Sequence, residues 1–398
     1  MDESFKPLRT ATEAGTRSSP ANAAQQFVFP GEILDIRAYG SGNVNDTFLV
    51  TVEVRKCSSP PKSPDLPGSR RFILQRLNLQ VFRRPDLVME NLVIFTEHGR
   101  KRLSRKPLGS GRRWEIPQVL RTRDGRHHFI DAQGAFWRAL SFIEDAQSID
   151  ILENAGQAQE VGYALGVFHE LLSDLPAHRL ADTLPGFHLT PLYLRHYNAV
   201  LARRRIPSSP EAAYCQKFVE KRRAFAGILE EAKAKGHLKL RPIHGDPKVN
   251  NVLLDPVTGQ AVGMVDLDTV KPGLVHYDLG DCLRSGANPL GEETEEWQQV
   301  RFEPDLARAL LQGYLAQAGG FLTPDDYSYI YDALHLLPFE LGLRFFTDYL
   351  EGNVYFKSRH REHNLWRALV QFRLVESIEA QENTLRNLIG ELRPKVFR

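Results

Sequence analysis

Apolar and polar positions alternate along the first third of the chain with the period of two that β-strands show. Strand patterns occur at residues 33–39, 47–54 and 71–77, around the turn Asp124-Gly125 and at residues 135–143. A helix is predicted to begin at Pro85, because proline fits the first helical turn, where an N–H group has no partner within the helix. Residues 26–144 are therefore predicted to form a small lobe of five antiparallel strands with one main helix. Residues 1–25, which lack an apolar period, are predicted to be a disordered tail.

Helical spacing of apolar residues dominates the remainder of the chain, residues 145–398. Gly162 and Gly166 lie four residues apart on one face of a predicted helix, where two glycines permit close packing of a second helix. Helical patterns return at residues 303–319 and 324–350. The chain is thus predicted to be an α+β protein in which a small lobe of strands precedes a larger, mostly helical lobe.

A short apolar hairpin interrupts these helices and carries the most informative polar residues. Residues 252–254 and 261–265 are predicted to be its strands, so that Asn251 and Asp266 meet at its open end. There an amide oxygen and a carboxylate form a hard-oxygen site suited to Mg²⁺. Asp246 lies on the loop that enters the hairpin, in a position to face a substrate hydroxyl. The order H-x-D-x-x-x-x-N, followed by an aspartate at a strand end, is that of a kinase catalytic loop and its metal-binding aspartate.

These residues predict an ATP-dependent kinase with the protein-kinase-like bilobal fold. Asp246 is predicted to be the catalytic base or orienter of the acceptor hydroxyl, and Lys248 to neutralise the moving phosphoryl group. His244 is predicted to brace the loop through backbone hydrogen bonds. Asp268 is predicted to contact the substrate or to support the metal ligands, provided that the strand of Asp266 continues.

Length and composition narrow the class of protein without choosing the substrate. The 398 residues suit two packed lobes, and 42% apolar with 25% charged residues is ordinary for a soluble enzyme. No apolar run approaches the roughly 20 residues of a membrane helix, and the first residues lack the order of a secretory signal, so a cytoplasmic protein is expected. The net charge of +2 argues against a nucleic-acid binder, and the basic run at residues 99–106 is interpreted as a solvated helix end.

Several stretches resemble the aminoglycoside phosphotransferase and choline kinase superfamily, which shares the protein-kinase bilobal fold. Within that superfamily they are most similar to bacterial N-acetylhexosamine 1-kinases. The similar segments are residues 42–48, 72–78, 266–273, 277–287 and 342–357. The resemblance implies a kinase that uses ATP and Mg²⁺ to phosphorylate the anomeric hydroxyl of an N-acetylhexosamine or a related sugar. It also implies that Arg344 and Tyr355 line the sugar site.

The nucleotide is expected to bind to the small lobe, through a glycine-containing turn, the third strand and the segment between the lobes. The predicted nucleotide-binding residues are Gly42, Asn43, Asn45, Thr47, Gln75, Arg76 and Ile143. Backbone N–H groups of the turn can meet phosphates, and main-chain groups near Ile143 can meet adenine. Protein kinases carry a lysine for the phosphates on the third strand, whereas this chain has Gln75 at that place. Arg71, Arg76 and Lys248 are the candidates for the missing cation.

Two alternatives stay open on the sequence alone. The first is a kinase of the same superfamily that acts on another small alcohol, such as an amino alcohol or an aminoglycoside. Residues 340–357 hold three carboxylates and five aromatic side chains, so composition does not exclude a pocket for a cation. The second is a pseudokinase that binds nucleotide as a regulator, an idea that Gln75 supports. Intact Asp246, Asn251 and Asp266 oppose it.

Overall fold

The computed structural model describes residues 19–40, 44–53, 69–204 and 206–394. The small lobe is built on a five-stranded antiparallel sheet in the order β1-β2-β3-β5-β4. Its strands are β1 Glu32–Ala38, β2 Asp46–Glu53, β3 Ser69–Arg76, β4 Phe129–Ile130 and β5 Phe136–Ser141, and its helices are α1 Pro20–Ala24 and α2 Pro85–Arg105. The predicted small lobe of five strands is confirmed, and α2 begins at Pro85 as predicted.

Helix α1 and the residues after it cover the outer face of this sheet. Ala23, Ala24 and Phe27 are buried in one cluster with residues of β2, β3 and β5. The Ser19 hydroxyl accepts a hydrogen bond from the backbone of Ala21 and caps the helix. The prediction of a disordered tail up to residue 25 is therefore wrong for its last residues. A five-residue helix is too short to show an apolar period in the sequence, yet its alanines allow it to lie close to the sheet. The earlier residues, 1–18, lie outside the described ranges.

The second lobe is mostly helical, as predicted. Its helices are α3 Ala155–Leu172, α4 Thr190–Leu201, α5 Pro210–Arg222, α6 Ile228–Ala234, α7 Val275–Gly286, α8 Pro304–Ala318, α9 Pro324–Ser328, α10 Ile330–Glu351, α11 His363–Ala380 and α12 Glu382–Leu392. Its short strands are β6 Gln147–Ser148, β7 Arg241–Ile243, β8 Val252–Leu254, β9 Ala261–Met264 and β10 Lys271–Gly273. In the ranges that the structure describes, no helix combines the length and apolar character needed to cross a membrane.

Helices α3 and α8 pack with their backbones in contact, and glycines make this possible. A Cβ atom at Gly162 would lie 1.9 Å from the carbonyl oxygen of Leu310, and one at Gly313 would lie 2.0 Å from that of Gln159. Either distance is far below a van der Waals contact, so a side chain at these positions would force the helices apart. The predicted close packing at Gly162 and Gly166 is confirmed.

Two short antiparallel pairings support the loops that carry the predicted site. Strand β8 pairs with β9 to form the predicted hairpin, and β7 pairs with β10. The loop after β7 leads into β8, and the turn after β9 leads into β10, so these connections lie beside one another. Strand β9 lies against the segment that joins the lobes, because a Cβ atom at Gly263 would lie 3.0 Å from the Ile143 side chain.

Candidate active site

The loop that follows β7 carries Asp246 and is braced by neighbouring elements. Asp278 of α7 accepts hydrogen bonds from the backbone N–H groups of His244 (2.6 Å) and Gly245 (2.8 Å). The N–H group of Asp246 donates to Nδ1 of His244 (3.3 Å), so the ring proton is on Nε2, which donates to the carbonyl oxygen of Val265 (3.0 Å). Burial lowers the pKa of His244, in agreement with a neutral ring. His244 thus braces the loop, as predicted.

Gly245 forms the turn into Asp246, and its carbonyl oxygen connects this turn to α10 through His188. Its φ is +87°, and a Cβ atom there would lie 2.6 Å from the carbonyl oxygen of Thr269, so the turn requires glycine. Nε2 of His188 donates to the Gly245 carbonyl (2.8 Å), and Nδ1 donates to Glu340 of α10 (2.9 Å). Burial opposes a charge on His188, but the Glu340 carboxylate outweighs burial and raises the pKa of His188. The resulting imidazolium ties α10 to the loop.

The Asp246 carboxylate lies beside Lys248 and Asn251. Its Oδ2 atom is 3.1 Å from Nζ of Lys248 and accepts a hydrogen bond of 3.2 Å from Nδ2 of Asn251. Its side chain is 28% exposed, so a small molecule can reach it. Burial favours the neutral acid, but the Lys248 ammonium outweighs burial and lowers the pKa of Asp246 from its usual value. Asp246 is therefore ionised at neutral pH, the state that a proton acceptor requires.

Asn251 and Asp266 stand at the open end of the β8–β9 hairpin. The N–H group of Val265 donates to the carbonyl oxygen of Asn251 (2.9 Å), which brings the following Asp266 beside it. Among the described residues, both hydrogen bonds of the Asn251 amide are donated by Nδ2, to the backbone and side chain of Asp246. The amide oxygen of Asn251 is therefore the atom available to a cation.

Asp266 has properties that suit a metal ligand. It adopts a left-handed backbone conformation (φ 59°, ψ 55°), which is rare for a residue other than glycine. Its side chain is exposed to the cleft between the lobes, but the surrounding protein limits its hydration. This loss of hydration, together with the nearby carboxylates of Asp268 and Asp246, raises the pKa of Asp266 to about 7. No group of three or more His, Cys, Asp or Glu side chains forms a metal site within the described ranges. The amide oxygen of Asn251 and the carboxylate of Asp266 are hard oxygen donors that fit Mg²⁺, which takes one or two protein carboxylates and completes its shell with waters and substrate phosphates.

Asp268 is engaged by residues of the small lobe. Its side chain is 1% exposed and forms an ion pair with Arg138 of β5, and its Oδ2 atom accepts a hydrogen bond from Asn45 (2.6 Å). The prediction that Asp268 contacts the substrate is therefore wrong. The strand does not continue past Asp266, because the chain enters the short 3-10 turn Leu267–Thr269, and this turn directs Asp268 towards the small lobe.

Asn45, Thr47 and Gln75 of the predicted nucleotide site lie together on the cleft side of the small lobe. Thr47 and Gln75 are register partners on β2 and β3, and Nε2 of Gln75 donates to Oγ1 of Thr47 (3.1 Å). The Asn45 oxygen accepts a hydrogen bond from the N–H group of Asn78 (2.9 Å), while its nitrogen donates to Asp268. Asn45 therefore fastens the start of β2 to both lobes.

Arg76 lies on the other side of the same sheet. Successive side chains of a strand point to opposite faces, so Arg76 lies over the ring of Trp137 (5.7 Å) and forms an ion pair with Asp46. The prediction that Arg76 binds the nucleotide is therefore wrong. Gly42 and Asn43, also predicted to bind it, lie outside the described residues.

The segment between the lobes is anchored on both sides. Ile143 is buried and packs on Gly263 of the β8–β9 hairpin. The next residue, Glu144, accepts hydrogen bonds from the backbone N–H group (3.2 Å) and Nε (2.8 Å) of Arg71 in β3. The ion pair with Glu144 engages Arg71, one of the candidate cations, at the hinge.

Arg138 is a residue of this region that sequence patterns did not single out. It is the register partner of Gln75 on β5, and its side chain is 2% exposed. Nε and Nη2 of Arg138 donate to Oε1 of Gln75 (2.9 and 2.6 Å), and Nη1 forms the ion pair with Asp268. Gln75 and Arg138 are 63 positions apart in the chain, so no local motif signals their contact.

On the acceptor side, Arg344 of α10 lies among aromatic rings. Its guanidinium carbon is 5.3 Å from the ring centroid of Phe187, 5.0 Å from that of Tyr193, 5.9 Å from that of Tyr355 and 5.3 Å from that of Phe356. These distances are those of cation–π contacts. The structure thus brings the two predicted sugar-site residues, Arg344 and Tyr355, together.

Asp348 holds the loop that carries Tyr355. Its Oδ1 atom accepts hydrogen bonds from the N–H groups of Val354 (2.9 Å) and Tyr355 (2.7 Å). Its Oδ2 atom accepts hydrogen bonds from the N–H group of Phe356 (3.0 Å) and from Nδ2 of Asn364 on α11 (2.9 Å). One buried carboxylate therefore fixes the backbone of both aromatic residues beside Arg344.

Comparison with known proteins places this site in a family. A family model described as the phosphotransferase enzyme family matches residues 35–325, most of the 398-residue chain. The chain belongs to the phosphotransferase enzyme family. This match confirms the predicted superfamily of aminoglycoside phosphotransferases and choline kinases, and the protein is a kinase-type phosphotransferase.

Solved structures share the fold of this phosphotransferase at low sequence identity. An aminoglycoside phosphotransferase from Alicyclobacillus acidocaldarius is 15% identical with a TM-score of 0.63, over 96% of this chain and 100% of that one. A choline kinase from Cryptosporidium parvum is 13% identical with a TM-score of 0.52, over 92% of this chain and 94% of that one. A Plasmodium vivax ethanolamine kinase is 11% identical with a TM-score of 0.51, over 85% and 82%. At such identities these likenesses show the fold alone.

Proposed function

We propose that this phosphotransferase is a kinase that uses ATP and Mg²⁺ to phosphorylate the anomeric hydroxyl of an N-acetylhexosamine or a closely related sugar. The acceptor oxygen bonds to the γ-phosphorus of ATP while the bond from that phosphorus to the β–γ bridging oxygen breaks, and ADP leaves. The proton of the hydroxyl passes to the Asp246 carboxylate, which is ionised and accessible. Lys248, paired with Asp246, adds positive charge beside the group in transfer.

Mg²⁺ would be held by the amide oxygen of Asn251 and the carboxylate of Asp266, with Asp246 oriented by the same Asn251. The ion supplies neutralisation of the charge on the ATP phosphates. The contribution of the chain is geometric, because Asn251 donates both of its N–H bonds to Asp246 and thereby keeps its oxygen turned to the cleft. Intact Asp246, Asn251 and Asp266 in this arrangement favour an active kinase over a pseudokinase.

The acceptor class rests on one observation, the guanidinium of Arg344 among four aromatic rings. Aromatic rings in this arrangement can bind the cation of a choline-like or amine substrate. Here the cation of the chain itself occupies that position, so a cationic substrate would meet a like charge. Hydroxyl and acetamido oxygens of a neutral sugar, in contrast, accept hydrogen bonds from a guanidinium. Arg344 therefore supports a neutral acceptor rich in oxygen atoms over an amino alcohol or an aminoglycoside.

Arg344 is also coupled in space to the proposed base. It lies one helical turn after Glu340, and Glu340 holds His188, whose ring donates to the carbonyl oxygen of Gly245 next to Asp246. An acceptor bound at Arg344 is thus positioned by the same network that positions Asp246. The choice of the anomeric oxygen rests on the resemblance of residues 266–273 and 342–357 to N-acetylhexosamine 1-kinases. The acidity of that hydroxyl suits transfer of its proton to a single carboxylate.

Acceptor profiling tests this proposal. The protein is incubated with ATP and Mg²⁺ plus N-acetylglucosamine, N-acetylgalactosamine, their methyl glycosides, choline or ethanolamine, and ADP release and the phosphorus NMR spectrum are recorded. We expect turnover with a free sugar and none with its methyl glycoside, because the methyl group blocks the anomeric oxygen. Equal turnover of free sugars and glycosides would overturn the anomeric assignment, and turnover of choline or ethanolamine alone would favour the amino-alcohol alternative.

The role of Arg344 is tested by the Arg344→Ala variant. Loss of charge-assisted hydrogen bonds costs about 1.5 to 3 kcal/mol, so the KM for the sugar is expected to rise by about tenfold or more, while the KM for ATP stays close to that of the wild type. Arg386→Ala is a matched control, because Arg386 of α12 also lies over an aromatic ring, that of Tyr331 (4.0 Å). Equal changes in both KM values, or in both variants, would remove Arg344 from the acceptor site.

A further inference from the structure

The third strand of this phosphotransferase lacks a cation for phosphates, and the candidates suggested by the sequence are occupied elsewhere. Arg71 forms an ion pair with Glu144 at the hinge. Arg76 lies on the outer face of the sheet with Asp46. Lys248 pairs with Asp246 on the catalytic loop. A triphosphate in the cleft therefore needs another positive group on the side of the small lobe.

Arg138 occupies the place that a lysine at Gln75 would reach. The two residues are register partners on β3 and β5, so their side chains leave the same face of the sheet next to each other. Of the five N–H groups of the guanidinium, Nε and Nη2 each use one on Gln75, whereas Nη1 lies in ion-pair contact with Asp268 but makes no hydrogen bond. Among the described residues, both N–H groups of Nη1 and one of Nη2 are therefore left without a hydrogen-bond partner. Because Nε and Nη2 share one acceptor along the side of the planar group, the free N–H of Nη2 and one N–H of Nη1 lie side by side at its end, an arrangement that matches two phosphate oxygens.

The surroundings of Arg138 place its charge next to the proposed metal site. Asp268, its ion-pair partner, is two residues after Asp266. The charge of Arg138 also acts on the Asp266 carboxylate itself, which is open to the cleft. Burial of a guanidinium whose hydrogen bonds are incomplete is unfavourable. Asp268 supplies the opposite charge, and the oxygen atoms of a phosphate would be acceptors for the N–H groups that remain free.

We infer that Arg138 is the cation that faces the nucleotide phosphates in this chain, and that Gln75 and Asp268 orient its guanidinium. The inference rests on the proposed ATP-dependent phosphoryl transfer. It assigns to β5 the charge that protein kinases place on the third strand. Gln75 then orients the cation. Its amide oxygen accepts hydrogen bonds from Nε and Nη2 of Arg138, and its amide nitrogen donates to Oγ1 of Thr47.

Calorimetric affinities for ADP and for adenosine, measured in EDTA, test the inference. Arg138→Gln alone would leave the buried Asp268 carboxylate unpaired, so the double variant Arg138→Gln/Asp268→Asn removes both charges together and keeps the pair neutral. We expect this variant to bind ADP about tenfold or more weakly than the wild type, and adenosine with unchanged affinity. Arg138→Lys keeps the positive charge but lacks the planar set of N–H donors of a guanidinium, so it is expected to bind ADP with intermediate affinity.

Arg76→Gln is the matched control, because it removes a guanidinium from the same sheet on the opposite face. It is expected to bind ADP and adenosine as the wild type does. Unchanged ADP affinity in the double variant, or equal losses for ADP and adenosine, would overturn the inference and make the Arg138–Asp268 pair a link between the lobes. If the wild type itself fails to bind ADP with Mg²⁺ present, the proposed function fails instead.

Discussion

At the scale of single residues, the proposed mechanism makes turnover depend most directly on Asp246. We predict that Asp246→Asn keeps the fold and nucleotide binding but lowers kcat by about two orders of magnitude or more, because an amide cannot accept the hydroxyl proton. Asp255→Asn is a suitable control, since Asp255 lies at the far turn of the same hairpin and accepts hydrogen bonds from Val257 and Thr258. Steady-state kinetics with calorimetry provide the measurement. A kcat within a few-fold of the wild type would remove Asp246 from this role.

Asp266 carries a second prediction at this scale. Asp266→Ala removes a charged oxygen from a site with few protein ligands, so Mg²⁺ is expected to lose its ability to tighten ATP binding. The same change removes a carboxylate that repels Asp246 and Asp268, so the free protein is expected to be as stable as the wild type or more stable. Titration of ATP with and without Mg²⁺, beside thermal denaturation, separates the two effects. Unchanged affinity for ATP with Mg²⁺ would contradict the assignment.

At the scale of elements, the β8–β9 hairpin and the packed helices α3 and α8 illustrate what local patterns predict well. Turn residues and strand alternation specify β8 and β9, and the four-residue spacing of Gly162 and Gly166 specifies a close helix contact. Helix α1 illustrates the opposite case. Five residues contain too little pattern to indicate a helix, and its stability comes from burial against a sheet formed by strands that follow it in the chain.

Helix α1 leads to a prediction about deletions. Deletion of residues 1–18 is expected to leave the melting temperature and activity nearly unchanged, because that segment is poor in apolar residues. Deletion of residues 1–28 also removes the buried Ala23, Ala24 and Phe27 and uncovers the sheet, which is expected to lower the free energy of unfolding by about 3 kcal/mol. Thermal and urea denaturation of both truncated proteins checks this. Equal stability of the two would show that α1 contributes nothing to the small lobe.

At the scale of the whole molecule, the two lobes are joined by buried polar contacts as well as by the hinge. Asp268 accepts a hydrogen bond from Asn45 and forms an ion pair with Arg138, and both of these residues belong to the small lobe. Asn91 of α2 is 2% exposed, and its side chain donates to the carbonyl oxygens of Ala181 (2.9 Å) and Val270 (3.0 Å) and accepts the N–H group of Ala181 (2.8 Å). Helix α2 is thus fastened to the helical lobe. The division of the chain into lobes at residue 144 stays a prediction.

Asn91 provides the prediction at this scale. Asn91→Ala leaves backbone groups of Ala181 and Val270 without their partner, and each unsatisfied buried group costs about 1 to 3 kcal/mol, so the free energy of unfolding is expected to fall by about 2 kcal/mol or more. Asn387→Ala, at an exposed position of α12, controls for the change of residue type. Urea denaturation followed by fluorescence gives both values. A loss no larger than that of the control would show that water replaces the Asn91 amide.

The sequence by itself determined the features that depend on near neighbours in the chain. The catalytic loop, the hairpin that brings Asn251 beside Asp266, the start of α2 and the superfamily all follow from short motifs and periodic patterns, since turns, caps and alternation act over a few residues. Only the tertiary structure decided the partners of Asp268, Arg76 and Arg138. Strand continuation, the face of a sheet and cross-strand register depend on residues far apart in the chain, so burial and charge pairing across the two lobes select them.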